Sequence, residues 1–572
     1  MSTHGRILVS LAGLALAAVS ASEANAGDRY AKHHFVVGPE LNARMAWQVD
    51  KIVDLDGDGV TDFMAGAPEG DGNGLNGSGK VVIYSGASGR VIRTLEGTLA
   101  DGRMGTSVAD AGDVDGDGFH DIVAGAPRET EAARTRCGGV YLFSGRDGSL
   151  LFHVFGESAD DQLGTSVAGV GDINDDGVPD VAASAPFYDA VGPRSGMVYV
   201  LSGVNGAQLR RLPGIAPDDQ AGSSIAAIGD TDRDGFTELA VGAIHGRSLL
   251  GGLNAAGNVL IFSPRTGRRI LRIDGTAAGD QIGRVVGDAG DVNADGTPDV
   301  VTGAPNASPN GQAFAGSVFV YSGRDGRLLR RFNGETQNVS FGNAADGAGD
   351  VDGDGFDDIL AGAPHTLHTA CPNGTIYVYS GGDGSLLYDD DGLEDAFAYS
   401  CAGAGDIDGD NVPDFIVGAP DYNTFTSPFF SLEGAVTVYT SRSMKLRRSA
   451  AVARLGDTVT MTIDAVPADA GRRYALLVGR SAGEAITPLL YPVGPGNASA
   501  LDLVPAPTYL KTVARLTGVL DGNGDRTIDL PVPFFPSLID KTFFFQPVLV
   551  QAPGRQPRVV RIGRPSSVTI AR

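Results

Sequence analysis

Residues 112–127 read GDVDGDGFHDIVAGAP: four carboxylates interleaved with glycine, then a short apolar run that stops at a proline. Carboxylates crowded this closely repel one another and resist ionising together, so the run calls for a counter-charge. In the pattern D-x-D-x-D-G-x-x-D, the side chains at positions one, three, five and nine are spaced to turn inward around a single ion, together with the backbone carbonyl at position seven. A hard cation of Ca2+ size suits this set, because it takes six to eight oxygens at about 2.3–2.6 Å, whereas Mg2+ demands tighter octahedral geometry and keeps several waters. Zinc would require His or Cys, and His120, the one histidine in these loops, is not at a ligand position. Glycine at position six permits the sharp bend.

The stretch recurs seven times at intervals of 56 to 61 residues. Candidate ligands in the first loop are Asp54, Asp56, Asp58, the carbonyl of Val60, and Asp62; in the second, Asp113, Asp115, Asp117, Phe119 and Asp121. The third offers Asp172, Asn174, Asp176, Val178 and Asp180, and the fourth Asp230, Asp232, Asp234, Phe236 and Glu238. The fifth offers Asp291, Asn293, Asp295, Thr297 and Asp299, and the sixth Asp350, Asp352, Asp354, Phe356 and Asp358. The seventh offers Asp406, Asp408, Asp410, Val412 and Asp414, with Asn411 in place of the loop glycine. The expected cofactor is Ca2+, up to seven ions per chain. A single Asp-Gly run is commonly a plain turn, but turn chemistry does not require an acid at position nine in every copy. An EF-hand starts with the same letters and needs a Glu at position twelve between helices. Position twelve here is Ala65, Ala124, Ala183, Val241, Thr302, Ala361 or Val417, in flanks rich in Val, Ile and Gly.

Other landmarks keep the same period and define the elements that must hold these loops. Eight residues before each loop stands a small residue: Ala46, Gly105, Gly164, Gly222, Gly283, Gly342 or Ala398. Twelve residues after each loop start comes Gly-Ala-Pro or a close variant, as at Gly66-Ala67-Pro68, Ser184-Ala185-Pro186 and Gly242-Ala243-Ile244. Some thirty residues on, an alternating strand ends in a turn, as in VVIYSGASG (81–89), VYLFSGRDG (140–148) and VFVYSGRDG (318–326). Each unit thus offers about four short strands, too few to bury both faces alone. Radial repetition lets every unit pack on the next, which predicts an all-β, seven-bladed β-propeller. Closing the ring needs a clasp, and HHFVV (33–37) is expected to supply it by pairing with the seventh blade.

The chain has 572 residues and 83 glycines, a content that favours turn-rich β architecture. Its 44 Lys and Arg against 69 Asp and Glu give a net charge of −25, which argues against nucleic acid or anionic lipid as a partner. Residues 1–26 read as an export signal: Arg6, an apolar stretch over 7–19, and Ala24-Asn25-Ala26 as a small-residue cleavage site. No second apolar stretch reaches bilayer length, so the expectation is a secreted or cell-surface protein without a membrane span. Of three cysteines, Cys137, Cys371 and Cys401, the last two form the candidate disulfide. The propeller is expected over 27–443 and a small β-sandwich-like domain over 444–572, where TVTMTI (458–463), YALLVG (474–479) and FFFQPVLV (543–550) read as strands. The acidic run DGNGDRTID from Asp521 has Arg526 where glycine belongs and reads as a hairpin turn.

Repeats with an apolar-Gly pair, a nine-residue acidic loop and Gly-Ala-Pro after the second strand resemble FG-GAP repeats, the units of the integrin α-subunit propeller and of related secreted bacterial proteins. Phe341-Gly342 matches literally, while Met104-Gly105, Leu163-Gly164 and Ile282-Gly283 carry apolar substitutes. The resemblance covers about residues 30–443. It implies a seven-bladed propeller with calcium loops on one face and a role in adhesion and ligand recognition. The chain departs from integrins in having seven competent loops and no large domain between repeats.

A catalytic constellation is not evident. The chain has eight histidines, none beside a serine elbow, and His365 with His368 lacks a third metal ligand nearby. The function expected is therefore a calcium-rigidified, non-catalytic scaffold that presents loops such as 69–79, 187–195, 245–256, 306–315 and 421–433 to an extracellular protein or glycan. The alternative is an extracellular polysaccharide-acting enzyme on the same scaffold, which would need basic and aromatic side chains converging on the central funnel.

Overall fold

The computed structural model describes residues 30–441 apart from 39, 250–251, 366–372 and 424–431, and beyond 441 the backbone of strands between Lys445 and Ala571. The signal segment, Cys371, His368 and the run from Asp521 to Asp525 lie outside the described residues.

Seven four-stranded antiparallel sheets follow one another in order along the chain. Blade one comprises Val49–Ile52, Asp62–Ala67, Lys80–Tyr84 and Val91–Glu96. The inner strands of blades two to six are Ser107–Gly112, Val167–Gly171, Ala221–Ala227, Val285–Gly290 and Ala344–Gly349. Blade seven comprises Ser400–Gly405, Asp414–Ala419, Ala435–Ser441 and, as its outermost strand, Tyr30–Val37 from the start of the chain. The predicted clasp is therefore present, and it is three residues longer than HHFVV, running antiparallel from Tyr30 opposite Ser441 to Val37 opposite Ala435. The extension matters because Tyr30 is the anchor: it is 1% exposed, sits edge-on to Phe415 and Tyr388, and donates its hydroxyl to the Pro413 carbonyl at 2.8 Å. His34 of the same strand contacts the Gly86 carbonyl of blade one at 2.9 Å, so the clasp touches both sides of the seam.

The cores lie between blades, as four strands with two apolar faces require. One cluster joins Ile52, Met64 and Ile83 of blade one to Val108, Ile122 and Tyr141 of blade two; another joins Phe63 and Tyr84 to Ile416 and Val438 across the seam. The second strand of every blade is buried along its whole length, as in Asp121–Ala126 and Asp358–Ala363. The small residues of the repeat allow this packing. Gly105 adopts φ +85, and its carbonyl lies where a Cβ on Gly66 of the preceding blade would sit, 1.9 Å away; Gly164 and Gly125 repeat the arrangement at 2.0 Å. Near the axis, serines stitch inner strands together: the hydroxyls of Ser107, Ser166 and Ser224 accept the N–H groups of Val167, Ile225 and Val286 of the next blade.

Two further sheets follow the propeller. One has three strands, Lys445–Arg448, Thr458–Asp464 and Arg526–Pro531, and the other six, among them Arg473–Gly479 and Thr542–Gln551. All three predicted strands there are seen.

Replacing Tyr30 by Ala removes the anchor of the clasp and is expected to destabilise the chain by about 3 kcal/mol. Calorimetric unfolding should show a lower and broader transition; an unchanged endotherm would show that the ring closes without it.

Candidate functional site

Each acidic loop joins the inner strand of a blade to the second strand, and in all seven the first carboxylate accepts the backbone N–H groups of positions five and six. The first carboxylate folds the loop over itself: Asp54 accepts N–H groups from Gly57 and Gly59 at 2.7 and 2.6 Å, and Asp350 accepts those of Gly353 and Gly355 at 2.7 and 3.1 Å. In every loop but the fifth, position five accepts from position seven, as Asp117 does from Phe119 at 3.0 Å. Position nine is buried and reaches two ways. Asp121 takes the N–H of Val114 on one oxygen at 2.8 Å and that of Gly145, in the hairpin after the third strand, on the other at 2.9 Å. The acid at position nine thus has a structural duty of its own, and the sequence reading, which saw only an ion ligand there, was incomplete.

Five loops bring three acids within 4.8 Å of one another: Asp54, Asp56 and Asp58; Asp113, Asp115 and Asp121; Asp230, Asp232 and Asp234; Asp350, Asp352 and Asp358; and Asp406, Asp408 and Asp414. The third and fifth loops hold Asn at position three instead. There the amide of Asn174 faces Asp180 at 3.5 Å and that of Asn293 faces Asp299 at 2.9 Å. Arginines crowd two of the loops: Arg265 pairs with Asp175 at 2.8 Å, and Arg233 of the fourth loop donates to the Asp295 carbonyl and the Thr297 hydroxyl of the fifth.

Electrostatics fit a missing positive charge. Burial pushes the position-nine acids up to about 6 for Asp62, Asp121 and Asp180, about 7 for Glu238, Asp299 and Asp358, and about 8 for Asp414, with neighbouring loop carboxylates adding to the rise. Two buried carboxylate oxygens, Glu238 Oε1 and Asp295 Oδ1, have no hydrogen-bond partner. For Glu238 the reason is visible: the hairpin residue that donates an N–H in the other blades is Pro264 here, which has none. An orphaned carboxylate oxygen in an acidic loop is what a cation-binding donor set leaves exposed.

The inner strands enclose an axial cavity of about 560 Å³. Asp50, Asp110, Asp288 and Asp346 line its wall, with Lys51 among them and Arg284 at one end. Burial, and repulsion from Asp346, push Asp50 up to about 7; burial likewise raises Asp346 to about 6 and Asp288 above the usual range. Asp110 is held by His120 at 2.9 Å. Cys401 lies on the same wall with its thiol free, and burial raises it well above its ordinary value. Sequence inspection missed this cavity because no motif marks it; the signal was the residues filling corresponding places in successive repeats.

The FG-GAP repeat model matches residues 46–84, 105–143, 163–201, 285–321, 341–379 and 397–439, that is, every blade except the fourth. The chain is 35% identical to chicken (Gallus gallus) integrin alpha-V over 229 residues, 37% of this chain and 21% of that one. It is 32% identical to integrin alpha-3 of Cricetulus griseus over 190 residues (30% and 17%) and 31% identical to human integrin alpha-6 over 216 residues (36% and 18%). The chain therefore spans about a fifth of the length of these relatives. The chain thus carries FG-GAP repeats in six of its seven blades, and its propeller resembles the repeat region of integrin α-subunits. Among the described residues no helix is long and apolar enough to cross a membrane.

Two measurements test the site. Asp121→Ala strips acceptors from the buried N–H groups of Val114 and Gly145 and is expected to cost about 3 kcal/mol in chelator, and more in calcium, where an ion ligand is lost as well; no loss in chelator would reduce position nine to an ion ligand. For the channel, Asp50 and Asp346 have folded pKa values above the unfolded carboxylate value, so their contribution is favourable below pH ~4 and lost as pH rises through about 6 to 7. Asp50→Asn should match the parent at pH 4 and exceed it at pH 8 by on the order of 1 kcal/mol, read from chemical denaturation at both pH values.

Proposed function

We propose that the chain is an exported, calcium-binding propeller, residues 27–443 after a signal at 1–26, that serves as a non-catalytic adhesion or recognition scaffold for an extracellular protein or glycan, with residues 444–572 as a separate β-rich domain. The observation that carries the metal reading is the pair of buried, unpartnered carboxylate oxygens of Glu238 and Asp295, the first in a loop where Asp230, Asp232 and Asp234 already converge and the second in one that also holds Asp291 and Asp299. Calcium, when bound, supplies the charge that lets neighbouring carboxylates ionise side by side. The ligand set is positions one, three, five, seven and nine of all seven loops. Asn174 and Asn293 serve in the third and fifth once their amide oxygens turn inward.

The residues of the chain convert that charge into stiffness. Position nine ties each loop to its own hairpin, and position eight leans on the blade before: Pro179 on Gly112, Pro298 on Gly229 and Pro413 on Gly349. A filled loop thereby fixes the relation of two blades, and the connections at the opposite end are held as a rigid set. The relatives are integrin α-subunits, which supports the adhesion reading.

Calorimetric titration of the chelator-treated chain should reveal several Ca2+ sites with Kd about 0.1–1 mM, and the melting temperature should climb with calcium. Asp115→Ala should delete one site and shrink the calcium-induced rise while leaving the chelated melting point in place. A chain that takes up no calcium and melts alike in calcium and chelator would refute this assignment.

A further inference from the structure

The end of the axial cavity remote from the acidic loops is a built rim. The residue following the small residue of each repeat lines it: Trp47, Thr106, Thr165, Ser223, Arg284, Asn343 and Tyr399. Blades seven and one meet there, so Trp47 and Tyr399 stand side by side with ring centroids 5.0 Å apart. Arg44 lies 5.1 Å from the Trp47 ring and is itself fixed by Asp421, its Nε donating at 2.9 Å. Three blades contribute hydroxyls whose hydrogens are committed. Thr106 donates to the Arg103 carbonyl at 2.8 Å, Thr165 to Gln162 at 2.7 Å and Ser223 to Gln220 at 2.7 Å, leaving oxygen lone pairs as the groups on offer. The Asn343 amide nitrogen donates to the Tyr399 carbonyl at 3.0 Å, so its oxygen is likewise available as an acceptor.

The rim thus pairs an aromatic platform with an arc of acceptors, and the cavity as a whole carries more acids, Asp50, Asp110, Asp288 and Asp346, than bases, Lys51 and the rim's Arg284. A ligand suited to it has a flat apolar face for the rings and several hydroxyl donors at its edge, and carries no negative charge. A pyranose meets all three conditions. We propose that this axial rim binds the uncharged end of an oligosaccharide, stacked on Trp47 with its edge against Tyr399, whose ring is tilted by 49° to the indole, and donating hydroxyls to Thr106, Thr165, Ser223 and Asn343. The inference rests on the reading of the propeller as a recognition scaffold and names its ligand class and place.

Trp47 is the only tryptophan in the chain, so its emission reports occupancy directly. The full chain in calcium is titrated with cellohexaose, maltohexaose, mannohexaose and N-acetylchitohexaose, with polygalacturonate and an unrelated acidic peptide as charged controls. The expected result is a saturable emission change with at least one uncharged hexasaccharide and with neither control. By calorimetry, Trp47→Ala should abolish that binding, Trp47→Phe retain it within about tenfold, and Thr165→Val weaken it severalfold, with the calcium-dependent melting of the parent kept in all three. Absence of a saturable change with all four hexasaccharides, binding that survives Trp47→Ala undiminished, or preference for a charged control would overturn the proposal. In those cases a preserved calcium response would leave the scaffold reading standing, whereas loss of the calcium response in the parent chain would remove the scaffold itself.

Discussion

The buried carboxylate at position nine is the constraint on which the rest of the structure depends. It lies at the start of a strand with no exposed residue, and its two oxygens join a surface loop to a hairpin that is 23 to 27 residues further along the chain. Covering an acid this way is unfavourable unless each oxygen is met. Backbone N–H groups meet it from one side, and the cluster of acids at positions one and three raises the cost from the other. A cation in the loop would relieve the second term without disturbing the first. With a cation bound, folding and ion uptake would be linked in each blade through that one side chain.

Blade-to-blade contact transmits that local constraint round the ring. Glycine at two matched places lets backbones approach to distances that no Cβ would permit, and the serine hydroxyls near the axis accept N–H groups across three successive boundaries. A ring built of such contacts gains little until it closes. Two boundaries differ from the rest: at the seam Ala46 stands in place of glycine and its carbonyl accepts from Ser400 at 2.9 Å, and between the sixth and seventh blades Ala398 stands in place of glycine and Tyr30 fills the space. Bulk and a long strand pairing take over where the tight glycine contact is relaxed.

Much of this was legible in the sequence because the repeat multiplies every signal. Seven acidic loops in register gave the blade count, and HHFVV gave the clasp, since it stands where a fourth strand is missing. Three things were not legible. The full reach of the clasp depends on Tyr30, whose partners Phe415 and Pro413 are almost 400 residues away and share no local pattern with it. The second role of position nine needs the position of Gly145, which only the fold reveals. The axial cavity is lined from matched places in every repeat by residues whose types differ from blade to blade, such as Trp47, Thr106 and Arg284, so position marks it while residue type conceals it.

The fourth blade shows how closely the parts are matched. It alone has Glu at position nine, and it alone lacks a match to the FG-GAP repeat model. Its hairpin carries Pro264, so an Asp there would have found no N–H on that side. The longer Glu238 directs Oε2 to the N–H and hydroxyl of Thr231, at 2.6 and 3.0 Å, and leaves Oε1 buried and unpaired. Two departures from the repeat thus meet at one point, and together they exchange a backbone donor for a vacancy in the coordination of one oxygen. Such an exchange is costly in an apolar setting; it is relieved either by protonation, which burial already favours by raising Glu238 to about 7, or by a positive charge beside it, so the blade that departs furthest from the repeat is also the one in which a cation would gain most.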